Sequence, residues 1–338
     1  MTAPATRLAL GIDIGGTSTR VLVIDLDGNR RGFGRGPGAN LTSHSLDHAL
    51  DAISTALADA LRDVDPSQVA AAVVGSAGDR NLAVPEVADA FADRWRQAGL
   101  TCPYDIVADA LVAFVAGTAS PDGTLVLSGT GSLAARADGR RLVHIADAHG
   151  WLLGDFGSGF WLGREAVRAA LAALDQRETP GRLGRAVLQT LVGDVEPGRP
   201  PRETASDLVL AVHSRPPVTL SELAPLVNEH ADNDPEARRI LHEAADHLLR
   251  AAGIVRPPTA TSPLVLAGSL LTTDTALAKL VVPRLSARWP QAVVSTAQDA
   301  VAGAAWLAGV TAGGLDDDEA VRLHRVLLPA AHTTPARR

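Results

Sequence analysis

One short pattern occurs twice in the chain, and that repeat constrains the fold more than any other feature. The first copy reads Leu8-Ala-Leu-Gly-Ile-Asp13-Ile-Gly15-Gly16-Thr17, then an apolar run from Val21 to Ile24, then Asp27-Gly28-Asn29-Arg30. The second reads Gly123-Thr-Leu125-Val-Leu127-Ser128-Gly129-Thr130-Gly131-Ser132, then Leu133 to Ala135, then Asp138-Gly139-Arg140. Each copy is an apolar strand, a Gly/Thr turn, a second short strand and an Asp-Gly hairpin signal. A glycine turn between strands lets backbone N–H groups approach an anion closely, and a neighbouring Thr or Ser hydroxyl adds a donor. Two such turns in two related halves predict two grips on one polyphosphate.

The length of 338 residues favours two domains over a single core. With 46% hydrophobic and 20% charged residues the composition is that of a folded protein. A net charge of -7 argues against nucleic acid or an acidic membrane as the main partner, so an anionic substrate would be held by local donors or a metal. Cys102 is the single cysteine, which excludes an intrachain disulfide and a cysteine-rich cluster within one chain. Met1 to Arg7 carries no apolar signal core and no apolar run is long enough to span a bilayer, so a cytoplasmic protein is the expectation.

Along the first half, strands are expected at 8–14, 20–25, 30–35, 70–74 and 105–107. Helices are expected from Ser43, read as an N-cap, to Arg62, from Pro85 to Ala98 with Gly99 at its end, and from Asp109 to Ala116. A meander followed by alternating helix and strand is a mixed sheet covered by helices. In the second half, helix 158–174 follows the loop Gly150–Gly159. Residues 176–235 are richer in Pro, Arg and charge and read as a helical insertion. Then come a helix from Pro235, a strand at 263–267 ending in Gly268-Ser269, a helix at 273–288, a strand near 292–295, helices at 299–310 and 316–328, and a loose tail.

Asp13 at a strand end beside the glycines reads either as a cradle that positions Mg²⁺ through water or as an ordinary hairpin turn with local hydrogen bonds. The repeat favours the cradle. The Walker pattern is absent, since Thr17 stands where a Lys would follow the last Gly, and both turns lead into strands rather than helices. Asp155-Phe156-Gly157 mimics a protein-kinase motif without its companions and is a chance match. Asp109 sits where a short strand hands over to a helix. It reads as a base that orients an attacking hydroxyl, or as a helix N-cap, or both. Asp155, set among close-approach glycines, reads as a polyol ligand, with Ser158 capping the following helix. Trp151 and Trp161 read as packing. His44, His48, His242 and His247 read as solvated helix histidines rather than metal ligands, because nothing completes a set.

Taken together, these motifs resemble the sugar kinase/Hsp70/actin ATPase superfamily, in its N-acetylglucosamine kinase and BadF/BadG-type branch. The resemblance is carried by Gly11-Ile-Asp13-Ile-Gly-Gly-Thr17, Ala39-Asn40, Gly75-Ser76-Ala77-Gly78, Ala108-Asp109-Ala110, Gly129-Thr-Gly-Ser132, Gly150-Trp-Leu-Leu-Gly-Asp155 and Leu266-Ala-Gly-Ser269, in family order over residues 8–310. It implies an α/β protein of two ribonuclease-H-like (actin-like ATPase) domains, 1–118 and 119–328, with an interdomain cleft around ATP, a helical insertion around 176–250 and a tail at 329–338. Asp13, Gly15, Gly16 and Thr17 would form the first phosphate loop and Gly129, Thr130, Gly131 and Ser132 the second, with Gly268 and Ser269 on the adenosine side. Asp109 matches the family's base. Asn40, Ser76, Gly78, Thr130, Gly150 and Asp155 match positions that line the sugar pocket.

The implied activity is ATP- and Mg²⁺-dependent phosphorylation of an amino sugar on its 6-hydroxyl, with N-acetylglucosamine first, glucosamine second, and a BadF-type ATPase driving a partner protein as the alternative. A homodimer is an expectation that the resemblance alone supplies. Three positions depart from the family pattern: Leu133 stands where Asn often follows Gly-Thr-Gly-Ser, the segment Asp147-Ala148-His149-Gly150 replaces Gly-Gly-Trp-Gly, and Phe156 replaces an acid. A site that reads hydroxyls is sensitive to such losses.

Overall fold

The structure is a computed structural model and describes residues 7–41, 44–78, 82 and 84–329. Ser43 and most of the expected tail lie outside the described residues. The first copy of the repeat folds as β1 (Leu8–Ile14), β2 (Ser18–Asp25) and β3 (Arg30–Pro37), followed by α1 (Leu46–Ala60), β4 (Val69–Ser76), α2 (Pro85–Gln97), β5 (Tyr104–Ala108) and α3 (Asp109–Val115). The second gives β6 (Gly123–Ser128), β7 (Ser132–Asp138), β8 (Arg141–Asp147) and α4 (Gly159–Asp175). Next come α5 (Arg182–Leu191), α6 (Pro201–His213), α7 (Ala224–Glu229) and α8 (Pro235–Val255). The chain ends with β9 (Leu264–Ala267), α9 (Ser269–Thr272), α10 (Ala276–Arg288), β10 (Val294–Thr296), α11 (Ala300–Gly313) and α12 (Asp317–Leu327).

The two sheets have the same strand order. One runs β3-β2-β1-β4-β5, and the other, in the same sense, β8-β7-β6-β9-β10. In the first, β1 pairs antiparallel with β2 and parallel with β4, which pairs parallel with β5. β6 likewise pairs parallel with β9. The repeat therefore specifies two mixed sheets of one topology, as the α/β reading required.

Two compact units result. The first gathers the described residues of Met1–Asp122, Ala137–Arg141 and Ser295–Arg338, the second those of Gly123–Arg136 and Leu142–Val294. The expected boundary at 118/119 thus falls close to the first crossing, but α11 and α12 belong to the first unit rather than the second. The physical reason is backbone approach: a Cβ at Gly11 of β1 would lie 2.2 Å from the Ala305 backbone nitrogen and 2.7 Å from the Val301 carbonyl. The Ala/Gly-rich helix α11 can lie that close to β1 because neither element has side-chain bulk at the crossing.

The first core is formed by apolar residues of β1, β2, β4, α1 and α2, including Ile12, Ile53, Leu57, Phe91 and Trp95. Against it, the glycines of β3 make a seam. Cβ atoms at Gly32, Gly34 and Gly36 would lie 1.9, 1.9 and 2.4 Å from the carbonyl oxygens of Ala60, Ala56 and Ala52. Every second residue of the strand faces every fourth residue of α1. Helix α1 is capped by Ser45, whose side chain accepts from the His48 N–H, two residues beyond the expected cap. In the second unit the core is shared by α4, the insertion helices α5 to α7, α8 and α10, around Trp161, Leu162, Leu208, Ile240 and Trp289. Among the described residues no helix is long and apolar enough to cross a membrane.

The glycine seam carries a stability prediction. Gly34→Ala forces a methyl into the Ala56 carbonyl and should destabilise the chain by about 1–3 kcal/mol. Thermal unfolding checks this, and an unchanged Tm would contradict the seam.

Candidate active site

In the first unit, parallel pairing brings three strand ends into one row. Asp13 is level with Gly75, Ile14 with Ser76, and Ser76 with Ala108, so that Asp109 follows directly at the start of α3. Carboxyl ends of parallel strands are where α/β sheets gather ligand chemistry. Asp13, Ser76, Gly78 and Asp109 therefore share one edge. The N-cap of α3 is Ala108, not Asp109, which is the first helical residue; its Oδ1 accepts from the Ala110 N–H at 2.8 Å. The cap role weighed for Asp109 is thus taken by a residue without a capping side chain. Ser76 is buried, and its hydroxyl donates to the Ala77 carbonyl at 3.3 Å.

The first turn closes by a Gly15 N–H bond to the Ser18 carbonyl at 3.0 Å. The loop after β3 crosses it: the Ala39 N–H donates to the Gly15 carbonyl at 3.1 Å, and a Cβ at Gly38 would lie 2.1 Å from the Gly16 carbonyl oxygen. Asn40, which follows directly in this loop, is buried. His44 Nε2 donates to the Gly16 carbonyl at 2.9 Å, so His44 braces the turn instead of standing solvated on a helix. Among the described residues, the N–H groups of Gly16 and Thr17 have no protein acceptor, and a Cβ at Gly16 would meet nothing within 4 Å. Two exposed backbone donors in an open turn are what an anion needs.

Sequence reasoning missed the ion pair at this turn. Arg20 lies opposite Asp13 in the antiparallel register. Its Nη2 meets Asp13 Oδ2 at 2.6 Å and its Nη1 meets Asp299 Oδ1 at 3.1 Å. Asp299 is the N-cap residue of α11, but its side chain makes no capping bond.

The second unit repeats the turn. The Gly129 N–H donates to the Gly131 carbonyl at 2.9 Å, and the Gly159 N–H and Phe160 N–H at the start of α4 donate to the Gly129 and Thr130 carbonyls at 2.7 and 3.2 Å. Again, among the described residues, the Thr130 and Gly131 N–H groups have no protein acceptor. Gly268 has φ of +82° and lies against this turn, where a Cβ would sit 2.2 Å from the Ser128 carbonyl oxygen. Ser269 then opens α9 and lines a cavity of about 680 Å³ with Asn228, Arg238, His242, Thr275 and Lys279. The Gly129–Ser132 turn and the Gly268 turn are therefore in contact through backbone.

Asp155 is packed against the second turn. Its Oδ1 accepts from the Ser132 N–H at 3.2 Å, and a Cβ at Gly131 would lie 3.2 Å from both its carboxylate oxygens. The loop that holds it is built on Asp147, which the sequence marks only as the start of a segment and not as a site residue. The Asp147 carboxylate accepts from the Asp155 and Phe156 N–H groups at 2.8 and 2.9 Å. Asp147, Ala148 and Asp155 all have positive φ (66°, 62° and 57°), as does Gly150 (77°). Left-handed backbone at such residues costs free energy and persists only where surrounding bonds over-determine it. Burial pushes the Asp155 carboxyl above the usual carboxylate range, opposed by the Ser132 N–H and reinforced by the Asp147 charge. Ser158 caps α4, accepting from the Trp161 N–H at 3.1 Å.

Of the aromatic residues, Trp161 is buried in the core, whereas Trp151 and Phe156 are half-exposed. His247 stacks on Phe156 with centroids 4.9 Å apart and meets Trp161 edge-on, so it is packed, not solvated. Burial, followed by the Arg250 charge, lowers its pKa.

The donor sets fit the groups that the resemblance implies. Mg²⁺ keeps its waters and takes phosphate oxygens, needing only one or two carboxylates. Asp13 offers Oδ1, to which no hydrogen bond runs among the described residues, while Oδ2 is held by Arg20. Phosphate oxygens need the backbone donors that both turns leave open.

The buried carboxyl gives a pH prediction. Because its folded pKa is raised, Asp155 contributes stability that is complete below the ordinary Asp range and is lost as pH rises through the elevated value. Asp155→Asn keeps an acceptor for Ser132 and removes the charge. The Tm difference between variant and wild type should grow in the variant's favour from acid to neutral pH; a difference independent of pH would contradict the assignment.

Comparisons with known proteins identify the family. An N-acetylmuramic acid/N-acetylglucosamine kinase of Clostridium acetobutylicum is 28% identical over 254 residues, covering 72% of this chain and 77% of that protein. An N-acetyl-D-glucosamine kinase of Dictyostelium discoideum is 26% identical over 331 residues, covering 89% and 98%. A crystal structure described as a candidate N-acetylglucosamine kinase, from Chromobacterium violaceum, superposes with a TM-score of 0.72 at 25% identity, covering 90% of this chain and 99% of its own. The BadF/BadG/BcrA/BcrD ATPase family matches residues 10–308, and the chain belongs to that family.

Proposed function

We propose that this protein is an ATP-dependent kinase that transfers the γ-phosphoryl group to the 6-hydroxyl of an amino sugar, N-acetylglucosamine first and glucosamine second. The observation that carries the reading is the repetition itself: two sheets of one strand order, each with a Gly/Thr turn whose central N–H groups lack protein acceptors among the described residues. Such turns stabilise charge on phosphate oxygens, and phosphoryl transfer is catalysed almost entirely by positioning and electrostatics. The names of the relatives in the two sequence comparisons support an amino sugar as acceptor.

In this reading Gly15, Gly16 and Thr17 hold one part of the polyphosphate, Gly129 to Ser132 another, and Gly268 with Ser269 the nucleoside side. Asp109 accepts the proton of the sugar hydroxyl and orients its oxygen for in-line attack. Asn40, Ser76, Gly78, Thr130, Gly150 and Asp155 supply hydrogen bonds and close-approach backbone to the sugar. Bound beside Asp13 through water, Mg²⁺ would neutralise charge on the phosphate oxygens. Phe156, an apolar ring beside Asp155, makes the acceptor side the part of the site where sugar specificity would be set. A soluble, cytoplasmic setting and a homodimer complete the proposal.

Release of ADP, measured against a panel of amino and neutral sugars, tests the reading. We expect stimulation by an amino sugar, greatest with N-acetylglucosamine. Hydrolysis that no sugar stimulates would overturn it and point to an ATPase that drives a partner protein. Within the same assay, Asp109→Asn should lower kcat by at least about 100-fold while leaving nucleotide affinity nearly unchanged. An active Asn variant would remove Asp109 from the role of base.

A further inference from the structure

We infer that Arg20 is a positioning residue that occupies the place of a cation on Asp13, and that Asp299 is its anchor. The inference rests on the reading of Asp13 as the metal side of the site. Arg20 is forked: Nη2 reaches Asp13 Oδ2 at 2.6 Å while Nη1 reaches Asp299 Oδ1 at 3.1 Å. One planar group thus spans two carboxylates from chain positions 286 residues apart, which a point charge such as lysine cannot reproduce. The pair is sheltered, with side-chain exposures of 15% for Asp13 and 33% for Arg20. Nε is buried and has no partner among the described residues, so charge rather than a complete set of hydrogen bonds holds Arg20 in place.

Two consequences follow for Asp13. Its carboxylate is fixed in rotation with Oδ2 committed, so that Oδ1 is the atom offered to a metal-bound water. Its charge is also neutralised in the absence of nucleotide. A divalent cation approaching the turn without nucleotide meets a positive guanidinium beside a carboxylate that is already paired. Only the negative charge of the nucleotide phosphates tips the balance, so the cation enters with the nucleotide and not ahead of it. Asp299, which gives up the capping role its position offers, keeps the guanidinium anchored. Arg30 approaches Asp299 from the outer side at 3.5 Å.

Binding of Mn²⁺ to the nucleotide-free protein, read by electron paramagnetic resonance of the free ion, tests this without ATP, sugar or turnover. Arg20→Gln should bind Mn²⁺ at least about ten-fold more tightly than wild type, from removal of a nearby positive charge in a partly screened site. Arg20→Lys, which keeps the charge but not the fork, should fall between wild type and Arg20→Gln, and Asp13→Asn in the Arg20→Gln background should abolish the gain. An Arg20→Gln protein that binds no more tightly overturns the inference, as does a gain that survives Asp13→Asn. Should Arg20→Gln fail to fold, Arg20→Met decides in its place: it also removes the guanidinium from Asp13, and Mn²⁺ binding no tighter than that of wild type would contradict the account. Failure of the kinase reading is distinguishable, because it appears as absent sugar stimulation while the Mn²⁺ result stands by itself.

Discussion

Everything at the candidate site depends on a backbone constraint: where two hydrogen-bonded strands meet in a Gly/Thr turn, the central amides lose their ladder partners. In the first unit those amides belong to Gly16 and Thr17, in the second to Thr130 and Gly131. Buried donors without acceptors are costly, so such groups must be exposed or supplied with an outside acceptor. These turns leave them accessible, but hold them rigidly. Gly15 and Ser18 close the first turn, the loop through Gly38 and Ala39 crosses it, and α4 bonds onto the carbonyls of the second. Open donors on a fixed frame are preorganised for an anion, which is where electrostatic stabilisation gains its strength.

The two turns are framed differently. At the first, side-chain charge dominates, with Asp13, Arg20 and Asp299 in a single chain of contacts. At the second, backbone dominates: Gly268 approaches Ser128 and Gly129 with no side chain between them, and Asp155 packs on Gly131. The strained segment from Asp147 to Asp155 is held by the Asp147 carboxylate, which takes the N–H groups of Asp155 and Phe156. In this glycine-dense loop a carboxylate fastens the bend.

Much of this was legible in the sequence because it is local. Strand, turn and Asp-Gly hairpin are set by residues within about ten positions of one another, and their repetition specified two sheets of one topology. The Gly268 turn and the cap at Ser158 are local too. Even the Asp13–Arg20 pair was within reach, since placing the turn at 15–18 puts Arg20 opposite Asp13. Contacts between distant segments were not legible. Asp299 joins Arg20 across the length of the chain, α11 returns to β1 through the small residues at Gly11 and Ala305, and His44 reaches back to Gly16. Periodicity shows which face of an element is apolar, but not which sheet it will cover.

The central claim is that both turns bind phosphate through their open amides. Amide hydrogen exchange at Gly16, Thr17, Thr130 and Gly131, with and without a non-hydrolysable ATP analogue and Mg²⁺, tests it most directly. The account predicts rapid exchange at all four in the free protein and slowing at both turns when the analogue binds. Saturating binding that leaves either turn exchanging as fast as before would contradict it.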